Sequence, residues 1–137
     1  MQVKSIPFIV RKDEDCSCGS LIAIEENKDI PFHMKRVFFI YGVDSDVKRG
    51  AHAHRTSAQV LVCVHGSCTI VLDDGKEKQR VVLDSPDKGL LQEPLVWGEM
   101  EHFSKDAVLM VLSDSLYDPA EYIHSYEEFL ELAKVAS

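Results

Sequence analysis

Residues 58–83 read AQVLVCVHGSCTIVLDDGKEKQRVVL, and this stretch decides the fold class. Two runs rich in β-formers, 58–64 and 67–72, flank His65-Gly66 and predict a hairpin. Asp73-Asp74-Gly75 is a turn signal, and 79–83 is the next strand. Upstream, 36–43 is again rich in β-formers; downstream, 90–97 and 107–112 add two more strands. Short strands at this spacing, joined by tight turns, predict an all-β sandwich or barrel. The C-terminal segment differs. Asp118-Pro119-Ala120-Glu121 has an N-cap residue, a proline at the first helical position and a glutamate at the third. Ile123, Tyr126, Phe129, Leu130 and Ala133 follow at helical spacing. One amphipathic helix packed over an end of the barrel is expected.

The chain of 137 residues suffices for a single domain, taken as 1–137, with a real core. Its hydrophobic fraction of 45% and charged fraction of 28% are globular. No apolar run reaches membrane-spanning length, and the apolar start at Met1 turns charged too early for a signal peptide. A cytoplasmic location and no membrane partner are expected. Fifteen Lys and Arg against 23 Asp and Glu give a net charge of −8, which argues against nucleic acid as a partner. One anionic small molecule remains compatible, because Lys35, Arg36, Lys48, Arg49 and Arg55 lie close together in the chain. Of the four cysteines, Cys63 and Cys68 sit in strand-like apolar runs and are expected in the core. Cys16 and Cys18 form a C-x-C with no second ligand pair at zinc-site spacing, and no disulfide framework is expected.

The chemistry is concentrated in Arg49-Gly50-Ala51-His52-Ala53-His54. In an extended strand, residues i and i+2 share a face, so His52 and His54 project together into the barrel. Ala51 and Ala53 then keep the opposite face small. Two imidazoles on one face allow metal ligation, acid–base catalysis or hydrogen bonding to a polar ligand.

The H-x-H, followed by Gln59 and Gly66, resembles the first motif of the cupin superfamily. Two departures bear on a metal: the acid position is the amide Gln59, and Gly98 stands where a further histidine is expected after Pro94. Two imidazoles without a carboxylate suit a metal poorly, which favours acid–base use. Longer stretches resemble one family more closely. Gly19-Ser20-Leu21-Ile22-Ala23-Ile24-Glu25-Glu26, Ile30-Pro31-Phe32, Lys35-Arg36-Val37, the segment from Arg49 to His54, Gln59-Val60-Leu61-Val62-Cys63, Gly66-Ser67-Cys68, Leu72-Asp73-Asp74-Gly75 and Leu83-Asp84-Ser85-Pro86 are similar to the dTDP-sugar 3,4-ketoisomerases of the WxcM-like small cupins. The likeness runs from about Gly19 to Phe129.

This resemblance implies a cupin-type β-jelly roll with one C-terminal helix, a homodimer, and no metal or other cofactor. It also implies isomerisation of dTDP-4-keto-6-deoxyglucose in the supply of 3-amino sugars for surface glycans; the alternatives are a non-catalytic nucleotide-sugar-binding module and a related keto-sugar epimerase. By the same resemblance His54 is the base and His52 its partner. Arg49 binds pyrophosphate or a sugar oxygen, and Gln59 hydrogen-bonds the sugar. Trp97 and Glu99 are candidate substrate contacts, Trp97 being equally suited to the core, and Arg36 is a second phosphate candidate. The chain departs from the family at Cys18, where arginine is usual, at Phe38 and Phe39, where tyrosines are common, and at Ala51, where a bulky residue is common. It departs again at Gly98, where the family has histidine. These changes are expected to cluster about the pocket.

Overall fold

The computed structural model describes residues 1–15 and 17–136. Two five-stranded antiparallel sheets stack face to face. The first has the order β1 (Lys4–Pro7), β9 (Lys88–Gln92), β6 (Gln59–His65), β11 (Val108–Ser113), β4 (Arg36–Tyr41). The second has the order β12 (Tyr122–Ile123), β5 (Arg49–His54), β10 (Trp97–Glu101), β7 (Cys68–Asp73), β8 (Lys78–Leu83). A small hairpin, β2 (Arg11–Lys12) with β3 (Ser20–Leu21), stands apart, and one helix, α1 (Tyr126–Ala136), ends the chain. The arrangement is the expected cupin-type jelly roll with a single C-terminal helix.

The continuous apolar run of β6 has a physical cause. Leu61 and Cys63 face inward, where they meet Ile70 and Leu72 of β7 and Met100 of β10 across the inter-sheet core. Val60 and Val62 face the other way, under Phe8 and Ile30 of the N-terminal segment. A strand covered on both faces gains from apolar residues at every position rather than at alternate ones. The second sheet has its own cover: Ala53, Trp97 and Ile123 pack beneath Phe129 of α1.

Residues 58–72 do not form a hairpin within one sheet. β6 pairs with β9 and β11, whereas β7 pairs with β10 and β8. His65-Gly66 is a corner that carries the chain from one sheet to the other. Gly66 has φ +71°, and a Cβ there would lie 2.8 Å from the Ala107 Cα. Ser67 donates its N–H to Ser104 Oγ (2.9 Å) and accepts from the Ser104 N–H (2.8 Å), so the corner is tied to a distant loop and not to itself. The hairpin about Asp73-Asp74-Gly75 does form, joining β7 to β8, with the Gly75 N–H on Asp73 Oδ1 at 2.7 Å.

Residues 90–97 are not one strand either. They divide between β9 and β10, which belong to different sheets. Pro94 lacks the N–H a strand ladder needs, and Leu95 follows in the left-handed region at φ +59° with its N–H on the His54 carbonyl (2.8 Å).

The helix begins later than its capping pattern suggests. Asp118 accepts from the Ala120 N–H (3.0 Å), but this caps only a single 3₁₀ turn, Pro119–Glu121. Ile123 then lies in β12. The real cap of α1 is Ser125, whose Oγ accepts from the Glu128 N–H at 3.2 Å. Phe129, Leu130 and Ala133 keep their apolar stripe against the sheet. Cys63 and Cys68 are buried free thiols, as expected. Cys18 is disulfide-bonded, against expectation, and Cys16 lies outside the described residues.

Phe129 has no exposed surface. Phe129→Ala is expected to cost about 3–5 kcal/mol, the range for removing a buried aromatic ring, as read by urea unfolding. A loss below about 1 kcal/mol would show that α1 lies outside the cooperative core.

Candidate active site

β5 carries the two histidines, and its rotational setting decides where they point. Ala53 is fully buried on the outer face with Ile123 and Phe129. Residues on either side of it along a strand face the opposite way, so His52 and His54 turn into the barrel. Pairing with β10 slips between Gly98 and Glu99: Gly98 faces His52, and Glu99 faces Gly50. Ala51 is the extra residue of this bulge. It is exposed at φ +56° and is not packed as sheet alternation suggested. A bulge bends its strand and re-aims nearby side chains, here at the open end of the roll. Gly50 contributes φ +81°, and a Cβ on it would come within 3.0 Å of the Gly98 carbonyl oxygen.

The imidazoles of His52 and His54 meet edge to face with centroids 4.9 Å apart. Tyr122 of β12 lies 4.9 Å from each of them. Its hydroxyl accepts from Arg36 Nη2 at 3.3 Å. The Arg36 guanidinium lies 4.9 Å from the Phe38 ring centre and 5.4 Å from that of Tyr117, an arrangement of the cation–π kind. His124 sits at the rim, 5.9 Å from His52 and stacked on Tyr122. A cleft of about 160 Å³ opens here, lined by Phe38, Arg49, His52, Gln59, Met100 and Tyr122 among others.

His54 is 2% exposed, and neither of its ring nitrogens has a hydrogen-bond partner among the described residues; nor has Arg36 Nε. Buried polar atoms without partners are costly and call for a functional explanation. Burial pushes the His54 pKa down to about 4; the nearby His52 and Arg36 add to this, while Glu121 and Asp114 oppose it. His52 is lowered too, first by burial, against a hydrogen bond with the Gly50 backbone, with His124 adding to the decrease. Both rings are therefore neutral at pH 7, the form in which imidazole accepts a proton.

The expected site residues divide into two groups. His52, Arg49 and Gln59 line the cleft; His54 is buried behind it against His52 and Tyr122, and Arg36 reaches the Tyr122 hydroxyl. Trp97 and Glu99 project from the opposite face of β10. Trp97 lies in the apolar layer under α1, edge-on to Tyr126 at 5.2 Å, and donates its indole N–H to Glu99 Oε2 at 3.0 Å. Both therefore lie on the helix side of β10, away from the cleft beside the histidines, with Trp97 buried and Glu99 half-buried. The departures from the family scatter as well: Phe38 lines the cleft, but Phe39 and Ala51 face solvent. A Cβ on Gly98 would come within 2.6 Å of Gln92 Nε2, so the Gln92 side chain occupies the room beside it. Among the described residues, no group of three or more His, Cys, Asp or Glu could hold a metal ion.

Tyr122, His124 and Glu121 were not anticipated, because the helical pattern absorbed them. Their one sequence signal is Tyr122-x-His124, the same two-residue spacing as the histidine pair.

A jelly roll that sets neutral imidazoles beside guanidinium and phenol groups at the wall of a cleft defines a small cupin-type protein equipped for proton transfer. A family model described as "FdtA: WxcM-like, C-terminal" matches residues 1–134. The TDP-4-oxo-6-deoxy-alpha-D-glucose-3,4-oxoisomerase of Aneurinibacillus thermoaerophilus is 51% identical over 120 residues, 87% of this chain and 86% of that protein. A 3,4-ketoisomerase from Helicobacter canadensis superposes with a TM-score of 0.91 at 42% identity, over 98% of each chain. The sugar 3,4-ketoisomerase QdtA from Thermoanaerobacterium thermosaccharolyticum, solved in complex with TDP, gives 0.92 at 40% identity, over 98% of this chain and 96% of that one. A histidine-to-asparagine variant of QdtA has been solved with TDP-4-keto-6-deoxyglucose. The chain belongs to the FdtA, WxcM-like C-terminal family and is an enzyme of the isomerase class.

The depressed His54 pKa makes a prediction about stability. Unfolded, this imidazole takes a proton near pH 6.5; folded, only near pH 4. Between those values the unfolded state binds more protons, so stability is expected to fall as the pH drops from about 6.5 to about 4, by up to about 3 kcal/mol. Below both values His54 contributes no further slope. Urea unfolding across this range is expected to show a shallower dependence in His54→Gln than in the wild type. Parallel curves would mean that His54 ionises as it does in water.

Proposed function

We propose that the chain converts TDP-4-keto-6-deoxyglucose to its 3-keto isomer by acid–base transfer through an enediol. The observation that carries this reading is the buried, neutral His54 with no hydrogen-bond partner among the described residues, set against His52 and Tyr122, which line the cleft of a fold shared with 3,4-ketoisomerases. His54 takes the C3 proton, and the C3–H electron pair becomes the C3–C4 double bond as the C4 carbonyl becomes an oxyanion. A proton then returns to C4 while the C3 hydroxyl loses its own, leaving the carbonyl at C3. C3 is oxidised as C4 is reduced, so no external redox partner is needed.

The oxygens of the enediolate need donors at the moment charge develops, and His52 and Tyr122 are placed to supply them. Arg49, with its planar fork of donors, takes the diphosphate or a sugar oxygen, with Arg36 as a second cation at the rim. Gln59 contacts the hexose. The reading includes a cytoplasmic homodimer that supplies a 3-keto sugar to an aminotransferase on the way to surface glycans. In support of a dimer, Val37, Phe39 and Tyr41 expose an apolar row on the edge strand β4. Among the described residues no helix is long and apolar enough to cross a membrane.

Incubation with TDP-4-keto-6-deoxyglucose in heavy water, followed by NMR, is expected to yield a product with its carbonyl at C3 and deuterium at C4. Deuterium at C3 or C5 with C4 still a ketone would replace this reading with other proton chemistry. In the same assay His54→Asn is expected to lower turnover about 10²–10⁴-fold, the usual contribution of one general base, with TDP affinity unchanged.

Arg49→Ala is expected to weaken TDP binding by about 1.5–3 kcal/mol, as for the loss of a charged hydrogen bond. Arg49→Lys should recover part of this, because it restores the charge but not the fork. Calorimetric titration at one fixed salt concentration checks it, and equal affinities in all three proteins would move the anion site to Arg36 or Lys35.

A further inference from the structure

Glu121 stands at the third position of what reads as a helix cap, yet no helix follows it directly. Its carboxylate turns instead to the corner between β5 and β6. Oε1 accepts from the Thr56 N–H (2.5 Å), the Ser57 N–H (2.7 Å), Ser57 Oγ (2.9 Å) and Thr56 Oγ1 (3.0 Å). Burial alone would raise the pKa of this carboxyl, but the donors from Thr56 and Ser57 hold it below the ordinary value. It is a charged acceptor fixed on the two residues that begin two positions after the proposed base. The backbone reinforces the contact. The Arg55 N–H reaches the Glu121 carbonyl (2.9 Å), and Arg55 Nε reaches the Ala120 carbonyl (3.1 Å). Arg55 Nη2 continues to Glu128 on α1 at 2.9 Å. One residue after Glu121, Tyr122 pairs in register with His54, and Ile123 pairs with Ala53.

β12 has only two residues, too short to hold its place by ladder hydrogen bonds alone. Something beyond pairing must fix where Tyr122 lies over the imidazoles. We propose that Glu121 is a positioning residue for the isomerisation: it clamps the corner that follows His54 to the strand that carries Tyr122, so that base and phenol keep one relative geometry. This rests on the ketoisomerase reading above.

The clamp also has an electrostatic consequence. The charged or titratable groups facing His54 are His52 on its own strand, Arg36 on β4, Asp114 just after β11, and Glu121 and Tyr122 on the strap of residues 121–124, with His124 farther out against His52 and Tyr122. Of these, Glu121 and Asp114 oppose the loss of basicity that burial causes in His54. Geometry and charge can be separated, because glutamine keeps an oxygen at the Oε1 position and discards the charge.

The experiment compares wild type, Glu121→Gln and Glu121→Ala by kcat, KM, the pH dependence of kcat/KM, calorimetric titration of TDP, and NMR titration of the His54 ring. For Glu121→Gln the expectation is a fall in kcat of about 3–10-fold, TDP affinity within about twofold of wild type, and an acid limb moved to lower pH, since a weaker base gives slower transfer. For Glu121→Ala the expected fall in kcat is about 30-fold or more, again with TDP affinity within about twofold. Wild-type kcat in a folded Glu121→Ala protein would overturn the proposal. So would parallel losses of kcat, TDP affinity and unfolding temperature, the mark of a merely structural contact. If Glu121→Ala does not fold, Glu121→Asp, which shortens the reach to Thr56 and Ser57 by one methylene, decides: a fall in kcat with TDP affinity within about twofold of wild type supports the clamp, and wild-type kcat overturns it. If the wild type does not turn over TDP-4-keto-6-deoxyglucose, the ketoisomerase reading fails on its own. NMR contacts between the His54 and Tyr122 rings, 4.9 Å apart in the wild type, then test the clamp separately: their loss in Glu121→Ala or Glu121→Asp supports it, and their retention overturns it.

Discussion

Ile123 and Phe129 close over Ala53 and leave it no exposed surface. That contact sets the phase of β5. A strand whose residue 53 is locked outward must turn residues 52 and 54 inward, because the side-chain period of a strand is two. The site inherits its geometry from this apolar contact. It explains why a C-terminal helix some 75 residues away along the chain bears on the histidine pair: α1 supplies the lid that keeps β5 from rotating or slipping. The bulge at Ala51 works within this limit, letting the strand bend at its start without moving its end.

The same burial that orients the imidazoles governs their charge. Away from water the protonated ring loses its hydration, and the second imidazole at 4.9 Å adds repulsion. His54 is left neutral and, among the described residues, without a hydrogen-bond partner, a costly state in a core. The surroundings temper the effect: carboxylates at Glu121 and Asp114 favour the protonated ring, and Arg36 disfavours it. Basicity at this position is thus a balance among side chains drawn from β4, β5, the end of β11 and the strap before α1. No local stretch of chain could set it.

Features that depend on neighbours in the chain were legible in the residues. Asp73-Asp74-Gly75 makes its hairpin because the Asp73 carboxylate bonds the Gly75 N–H two residues on. Features that depend on partners far away are not contained in the local residues. His65-Gly66 has hairpin chemistry, but the bonds between Ser67 and Ser104 hold it as a corner between sheets. Asp118 to Glu121 has capping chemistry, but the glutamate finds better donors on Thr56 and Ser57 than on a helix start. Trp97 suits a sugar wall as well as a core, and the packing of α1 on the outer face sets its ring in the apolar layer there.

By itself, then, the sequence determined the all-β class, the single C-terminal helix, the histidine pair on one face and the arginines near it. Each of these rests on periodicity or on short-range chemistry, which a linear reading contains. The tertiary structure alone decided that β6 and β7 part company at Gly66, and that Trp97 and Glu99 turn away from the cleft. It alone brought Tyr122 and Glu121 to His54. Those outcomes follow from pairing and burial between segments tens of residues apart, where the winning contact depends on which surface is already covered.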